Sequence, residues 1–242
     1  MLPSGDYGVF EINDTEYFVC SARSAKNMAY QGLSKEYGKP VCVLEVTGDD
    51  LLGLPLKAPN VTAYDHVYCL PLLTISMGKG TGVVTSVPSD APDDYAALKD
   101  LQKKPEFRAK FGITDEMVVP FEVIPIIEIA DEHGAFSLDE FGIKADVKLG
   151  DRSAVVLCET LKVASQNDRE KLKYAKDRCY KLGYNFGVMA CGKYKGMPVI
   201  KAKTKVRADM IEAGLAAEYY EPEKLVVSRS GDECVVSFED QW

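Results

Sequence analysis

KGTGVVTSVPSDAPDDY, residues 79–95, packs three backbone instructions into one stretch. Gly80-Thr81-Gly82 is a flexible turn, because glycine enters backbone regions closed to other residues. Val83-Val84-Thr85-Ser86-Val87 is a β-branched run long enough for one buried strand. Pro88 and Pro92 bracket a polar corner, and Asp93 and Asp94 open a helix. Turn, strand and acidic helix start make a wall, a floor and a fixed negative charge, suited to a small cationic or hydroxyl-rich group. A phosphate loop is a poor fit. The Walker pattern needs GxxxxGK followed by Ser or Thr, but Leu73 stands where its first glycine should be and Gly80 follows Lys79. Asp90 as an N-cap, with Asp93 three residues on, reads as a capping box. Asp94 has no part in that pattern.

The chain has 242 residues, enough for one large domain or two small ones. With 46% hydrophobic and 27% charged residues it is an ordinary globular composition. No apolar run reaches the roughly 20 residues of a membrane span, and Met1 to Asp6 does not read as a signal peptide. Seven cysteines, odd in number and without a CxxC pair, read as reduced, mostly buried thiols, which suits a cytosolic protein. The net charge of −8 argues against a general nucleic-acid binder, since nonspecific affinity for phosphate comes from clustered Lys and Arg. Gripping one RNA end in a pocket stays open. The basic clusters at Lys99–Lys110 and Lys193–Arg207 read first as solvated helix faces.

Residues 7–12 and 16–21 predict a hairpin around Asn13-Asp14. Ser24 to Tyr37 predicts a helix, and 41–46, 66–73, 118–129 and 185–191 predict strands. Tyr95, Leu98 and Leu101 share the inner face of a helix over 91–103, which Pro105 ends. Further helices are expected at 106–111, 153–161 and 199–213. A helix opened by Ser165 and Asp168 has Leu172, Ala175, Cys179 and Leu182 inward and stops at Gly183. Residues 130–151 read as a surface loop or insertion. Residues 218–227 and 233–238 read as two strands around Ser230-Gly231-Asp232. Short strands with few helices before residue 80 suggest a barrel-like core.

His66 and His133 have no partner at metal or triad spacing, and GxSxG and HExxH are absent. That leaves chemistry without a protein nucleophile or metal.

The GTG loop, the apolar run, the proline and the aspartate beyond it resemble the editing-site signature of the class I synthetases for leucine, isoleucine and valine. Thr85 and Val87-Pro88 stand where the isoleucine and valine branches show a histidine and AP, so the leucine branch is the better match. VPSDAPDDYAAL (87–98), SQND (165–168), SRSGDECVV (228–236) and DQW (240–242) closely resemble the eukaryotic cytosolic leucyl-tRNA synthetases. The likeness covers the chain apart from a diverged patch at 130–151.

That resemblance implies an α/β (α+β) fold: a β-barrel core flanked by helices. Residues 1–224 would be the editing domain, with a helical insertion over about 130–182. Residues 225–242 would be a β-ribbon returning toward a catalytic body, with Trp242 as the boundary of the piece. It implies hydrolytic proofreading: deacylation of tRNA-Leu mischarged with isoleucine, methionine or norvaline, in the cytoplasm. Such an ester is already activated, so the protein need only hold it beside a water and steady the oxyanion. Asp94 is the expected catalytic residue, pinning the α-ammonium. Met77, Gly80, Gly82, Thr85 and Val87 are expected to hold the terminal adenosine, and Thr81 to orient the water or simply to pack. No metal or cofactor is implied for this domain. ATP and magnesium serve the parent ligase's synthetic domain, whose HIGH and KMSKS signatures are absent from this chain. The implied partners are the tRNA-Leu acceptor end and the rest of the synthetase chain, not a membrane. The family's threonine-rich, RPxT-like segment is also absent, and Met1 to Ile12 resembles the segment that follows it. A non-catalytic binder of the tRNA acceptor end, or an appended structural domain, is therefore the alternative.

Overall fold

The computed structural model describes residues 1–134, 136–138 and 143–240, and the chain forms two compact units. Residues 1–54, 69–84 and 217–242 make the first unit, and residues 55–68 and 85–216 the second.

The first unit is built on the expected hairpin. Strands β1 (Asp6–Glu11) and β2 (Tyr17–Cys20) pair antiparallel, and β3 (Val41–Thr47) pairs on the other side of β1, giving the order β2-β1-β3. Asn13 shapes the hairpin turn by accepting the N–H groups of Thr15 and Glu16. A bulge between Val9 and Phe10 lets β1 bury Tyr7 and Phe10 in separate clusters. Phe10 packs with Cys20, Ala25 and Met28, and Tyr7 with Met1 and Cys69. Helix α1 (Ala22–Ala29) is shorter than predicted. Ser21 caps its start, and the chain leaves the helix before Gly32, whose φ of 78° is incompatible with helix continuation. A short turn of helix, α2 (Gly48–Leu51), follows β3.

The second unit is mainly helical. The two-residue strands β4 (Pro55–Leu56) and β5 (Val67–Tyr68) pair with each other. Helix α3 (Pro92–Lys103) starts with Pro92 at its first position, where the missing N–H costs nothing. Ala91 is its N-cap, so the predicted Asp90 cap and Asp93 capping box do not form. Short helix α4 (Pro105–Lys110) returns Arg108 to α3, where its Nη1 donates to the Leu101 and Gln102 carbonyls at 2.6 and 3.0 Å. Only Ile127–Glu128 (β6) of the predicted strand 118–129 forms, consistent with Pro120 and Pro125. Residues 131–147 contain a short helix, α5 (Asp131–Gly134), and a hairpin of β7 (Phe136–Leu138) and β8 (Ile143–Val147). Residues 135, 139–142, 241 and 242 lie outside the described residues, and with them part of the predicted insertion and the Trp242 boundary.

Helices α6 (Ser153–Thr160) and α7 (Arg169–Phe186) complete the core of this unit with α3. Leu157, Leu161, Leu172, Ala175 and Cys179 are all buried there. Helix α7 does not stop at Gly183: it runs to Phe186, and Gly187 is its C-cap. Gly183 keeps ordinary helical geometry, so nothing compels a stop there. Strand β9 (Val188–Met189) pairs with β6, and α8 (Val199–Glu212) ends before Gly214, whose φ of 67° suits a C-cap glycine.

Other sequence expectations fail as well, and of the strands predicted over 66–73 and 185–191 only β5 and β9 form. Residues 83–87 form no strand, and Val83 and Val84 are exposed. The predicted C-terminal ribbon reduces to a single bridge between Val227 and Glu233. The architecture is α+β with one three-stranded and three two-stranded sheets, and no closed barrel forms among the described residues. Among those residues no helix is long and apolar enough to cross a membrane. Cys20, Cys69, Cys158 and Cys179 are buried as free thiols, and burial pushes Cys158 and Cys179 up to about 12.

Candidate functional site

The seven residues singled out in the sequence fall into two groups. Met77, Gly80, Thr81 and Gly82 belong to the first unit, and Thr85, Val87 and Asp94 to the second.

In the first unit the turn is fixed at every residue. Gly80 and Gly82 have φ of 62° and 78°, the left-handed conformations for which glycine was expected. A Cβ on Gly82 would stand 2.8 Å from the Tyr7 ring and 3.1 Å from the Met77 side chain, so Gly82 and Met77 are brought together. The Gly82 carbonyl accepts the Tyr7 hydroxyl at 2.8 Å, and burial pushes the Tyr7 phenol up. The Thr81 hydroxyl donates to the Val83 carbonyl at 3.0 Å and accepts its N–H at 3.2 Å, closing a local turn.

In the second unit Asp94 is the third residue of α3 and is 8% exposed. Its Oδ2 accepts the Val87 N–H at 2.8 Å, which joins two of the predicted residues. Thr85 is exposed. Burial pushes the Asp94 carboxyl above its usual value, against the Val87 N–H; the neighbouring Asp93 charge adds to the rise and Lys176 offsets it. A carboxylate near a helix N-terminus is favoured by the helix dipole, but at Asp94 the loss of water outweighs that help. Asp93 is the residue that finds a cation: Lys176 Nζ, on α7, lies 3.0 Å from its Oδ2. Among the described residues Asp94 has no ion-pair partner within 4 Å. Lys176 also sits 5.7 Å from the centre of the Tyr180 ring, one turn along α7. Sequence reasoning missed Lys176 and Tyr180, and an ion pair spanning 83 positions has no local signal.

Asp90 is half-buried beside this corner. Its Oδ2 accepts the Ser89 hydroxyl at 2.6 Å, while Oδ1 has no hydrogen-bond partner among the described residues. Burial raises its carboxyl to about 6. An open cleft of about 270 Å³ lies elsewhere on α3, lined by Lys99, Lys103, Lys104, Lys162 and Glu159 among others, and Asp94 is not part of it. Among the described residues no group of three His, Cys, Asp or Glu side chains stands together as a metal site.

No protein-family model matches the chain. The whole chain aligns at 48% identity with the cytoplasmic leucine–tRNA ligase of Dictyostelium discoideum and at 47% with that of Arabidopsis thaliana. The crystal structure named GlLeuRS-CP1 is 38% identical and superimposes with a TM-score of 0.78, over 91% of this chain and 73% of that one. The editing domain of P. falciparum cytosolic leucyl-tRNA synthetase is 25% identical, with a TM-score of 0.75 and the same coverage. The chain belongs to the leucyl-tRNA synthetase editing-domain family. This editing domain spans about a fifth of the length of the two ligases, 21% and 20%.

Proposed function

We propose that this editing domain hydrolyses mischarged tRNA-Leu as part of a cytoplasmic leucine–tRNA ligase, releasing isoleucine, methionine or norvaline. The observation that carries the reading is Asp94, a buried carboxylate whose neighbour Asp93 has taken the nearby lysine. A substrate α-ammonium supplies the direct ion-pair partner that Asp94 lacks, since Lys176 acts on it only from a distance while pairing with Asp93, and a charge-assisted pair in a dry setting is strong. Held there, the ester carbonyl meets a water. The water oxygen bonds to the carbonyl carbon, the bond to the ribose oxygen breaks, and a water proton ends on that oxygen. The products are a free amino acid and an intact tRNA. Positioning and oxyanion stabilisation are the protein's share.

The turn Gly80–Gly82 with Met77, and Thr85 with Val87, are the parts we assign to the terminal adenosine. The acceptor end of tRNA-Leu and the rest of the ligase are the partners in this reading. It needs no cofactor in this domain; ATP and magnesium belong to synthesis in the parent ligase. The family's barrel core, an editing body over residues 1–224 and a returning segment over 225–242 are parts of the same proposal, supported by the likeness to solved editing domains. A second site is needed because a binding pocket separates side chains differing by one methylene by only about 1–3 kcal/mol.

The test is deacylation of isoleucyl-tRNA-Leu by the wild-type chain and by Asp94→Asn. The asparagine keeps an acceptor for the Val87 N–H and removes only the charge. Wild-type hydrolysis lost in Asp94→Asn supports the proposal. Equal hydrolysis by both would overturn the role of Asp94, and tight tRNA binding without hydrolysis would favour an acceptor-end binder.

A further inference from the structure

The Gly80–Gly82 turn is gripped by side chains far away in sequence. The Gly80 N–H donates to both oxygens of Glu221, at 2.8 and 3.1 Å. The Gly80 carbonyl accepts the Ser24 hydroxyl at 2.7 Å, and the Thr81 carbonyl accepts the Ser21 N–H at 2.9 Å. Glu221 is itself clamped: Arg23 Nη1 lies 2.7 Å from its Oε2 and the Tyr219 hydroxyl 3.1 Å. Arg23 turns its Nε to Glu233 at 2.8 Å, so its fork spans two carboxylates. The side chains of Arg23 and Glu221 are each 14% exposed. Burial pushes the Glu221 carboxyl up, yet Arg23, the Gly80 N–H and the Tyr219 hydroxyl together hold it below its usual value.

We propose that Glu221, locked by Arg23, is a positioning residue that sets the Gly80–Gly82 turn in the shape the terminal nucleoside of the substrate meets. The proposal rests on the editing reading above. Its physical basis is the freedom of glycine. No atom lies within 4 Å of a Cβ built on Gly80, so crowding does not hold that residue in place. A turn with two left-handed glycines samples many shapes unless something external selects one, and only the fraction already in the competent shape binds well. Glu221 makes that selection at the one backbone N–H that opens the turn. An exposed ion pair would contribute little, but this pair is largely buried and its carboxylate is bonded directly to the main chain.

The test compares wild type, Glu221→Gln and Arg23→Lys by amide hydrogen exchange and by titration with a non-hydrolysable adenosine amide of norvaline. Arg23→Lys keeps the charge but cannot span both carboxylates. In Glu221→Gln the Kd is expected to rise about tenfold, as a competent fraction cut to a tenth requires, and Gly80 exchange is expected to quicken. Amides in β1 and α7 should keep their wild-type rates, and Arg23→Lys should fall between the two. An unchanged Gly80 amide, or a looser Gly80 with unchanged Kd, overturns the proposal. So does loosening of β1 along with Gly80 in both variants, which would make the ion pair a general support of the unit. If even wild type fails to bind the adenosine amide, the editing reading falls, and exchange at Gly80 alone then decides whether Glu221 sets the turn.

Discussion

Asp94 carries two duties that one substitution confuses. Its carboxylate holds the Val87 N–H as well as the charge assigned to the substrate. Asp94→Ala should therefore lose deacylation and also about 1–3 kcal/mol of stability, because a buried N–H is left without its acceptor. Asp94→Asn should lose the activity alone, and urea unfolding of the two variants separates the effects. Because burial raises Asp94, the acid limb of the pH–rate profile should lie above the ordinary aspartate value of 3.8. Binding is lost there as the carboxyl gains its proton. Asp90, raised by burial like Asp94, links pH to stability rather than to binding. Its folded value of about 6 lies above the unfolded one, so the folded protein takes up the proton first and stability falls as pH rises between them. Asp90→Asn should raise the melting temperature at pH 7.5 and lose that advantage at pH 4, checked by thermal melts at both.

At the scale of elements, packing decides more than propensity. Helix α3 was legible because Tyr95, Leu98 and Leu101 recur on one face and Pro105 marks its end, and those three apolar residues are buried. The run Val83–Val87 has the composition of a strand but no neighbouring strand to pair with, and β-branched residues cannot make a sheet alone. Glycine misled in the other direction at Gly183, where a helical φ is as easy as a break. In the candidate site, the sequence distinguished Asp94 from Asp93 only through the resemblance. The ion pair with Lys176 and the grip of Glu221 on Gly80 leave no periodic trace, because they join residues that only the fold brings together. Arg108 is another such link. It is 3% exposed and closes the end of α3 by donating to two of its last carbonyls, with Asp115 as its charge partner. Arg108→Ala should destabilise the protein by about 2–4 kcal/mol, since it leaves those carbonyls unpaired and opens a cavity. Urea unfolding measures the loss, and the helical signal at low denaturant should persist.

For the molecule as a whole, the first unit's sheet leaves apolar side chains in water. Val19 and Leu44 flank Val9 across the sheet and are 38% and 57% exposed, and Tyr17 and Val43 are exposed too. An apolar patch on a sheet invites association. The net charge of −8 opposes that association at low salt and does so less at high salt. Sedimentation should show self-association that grows with protein and salt concentration, and Leu44→Lys should weaken it. Salt-independent monomers at every concentration would show that the patch is too small to matter.

The bond from Gly80 to Glu221 joins positions 141 residues apart. A ribosome adding roughly 5–20 residues per second needs roughly 7–28 seconds to travel between them. For that interval the nascent chain carries its glycine turn with no carboxylate to close on, although β1, β2 and α1 are already made. A messenger truncated just before the codon for Glu221 would yield a product with those elements present and the turn unset.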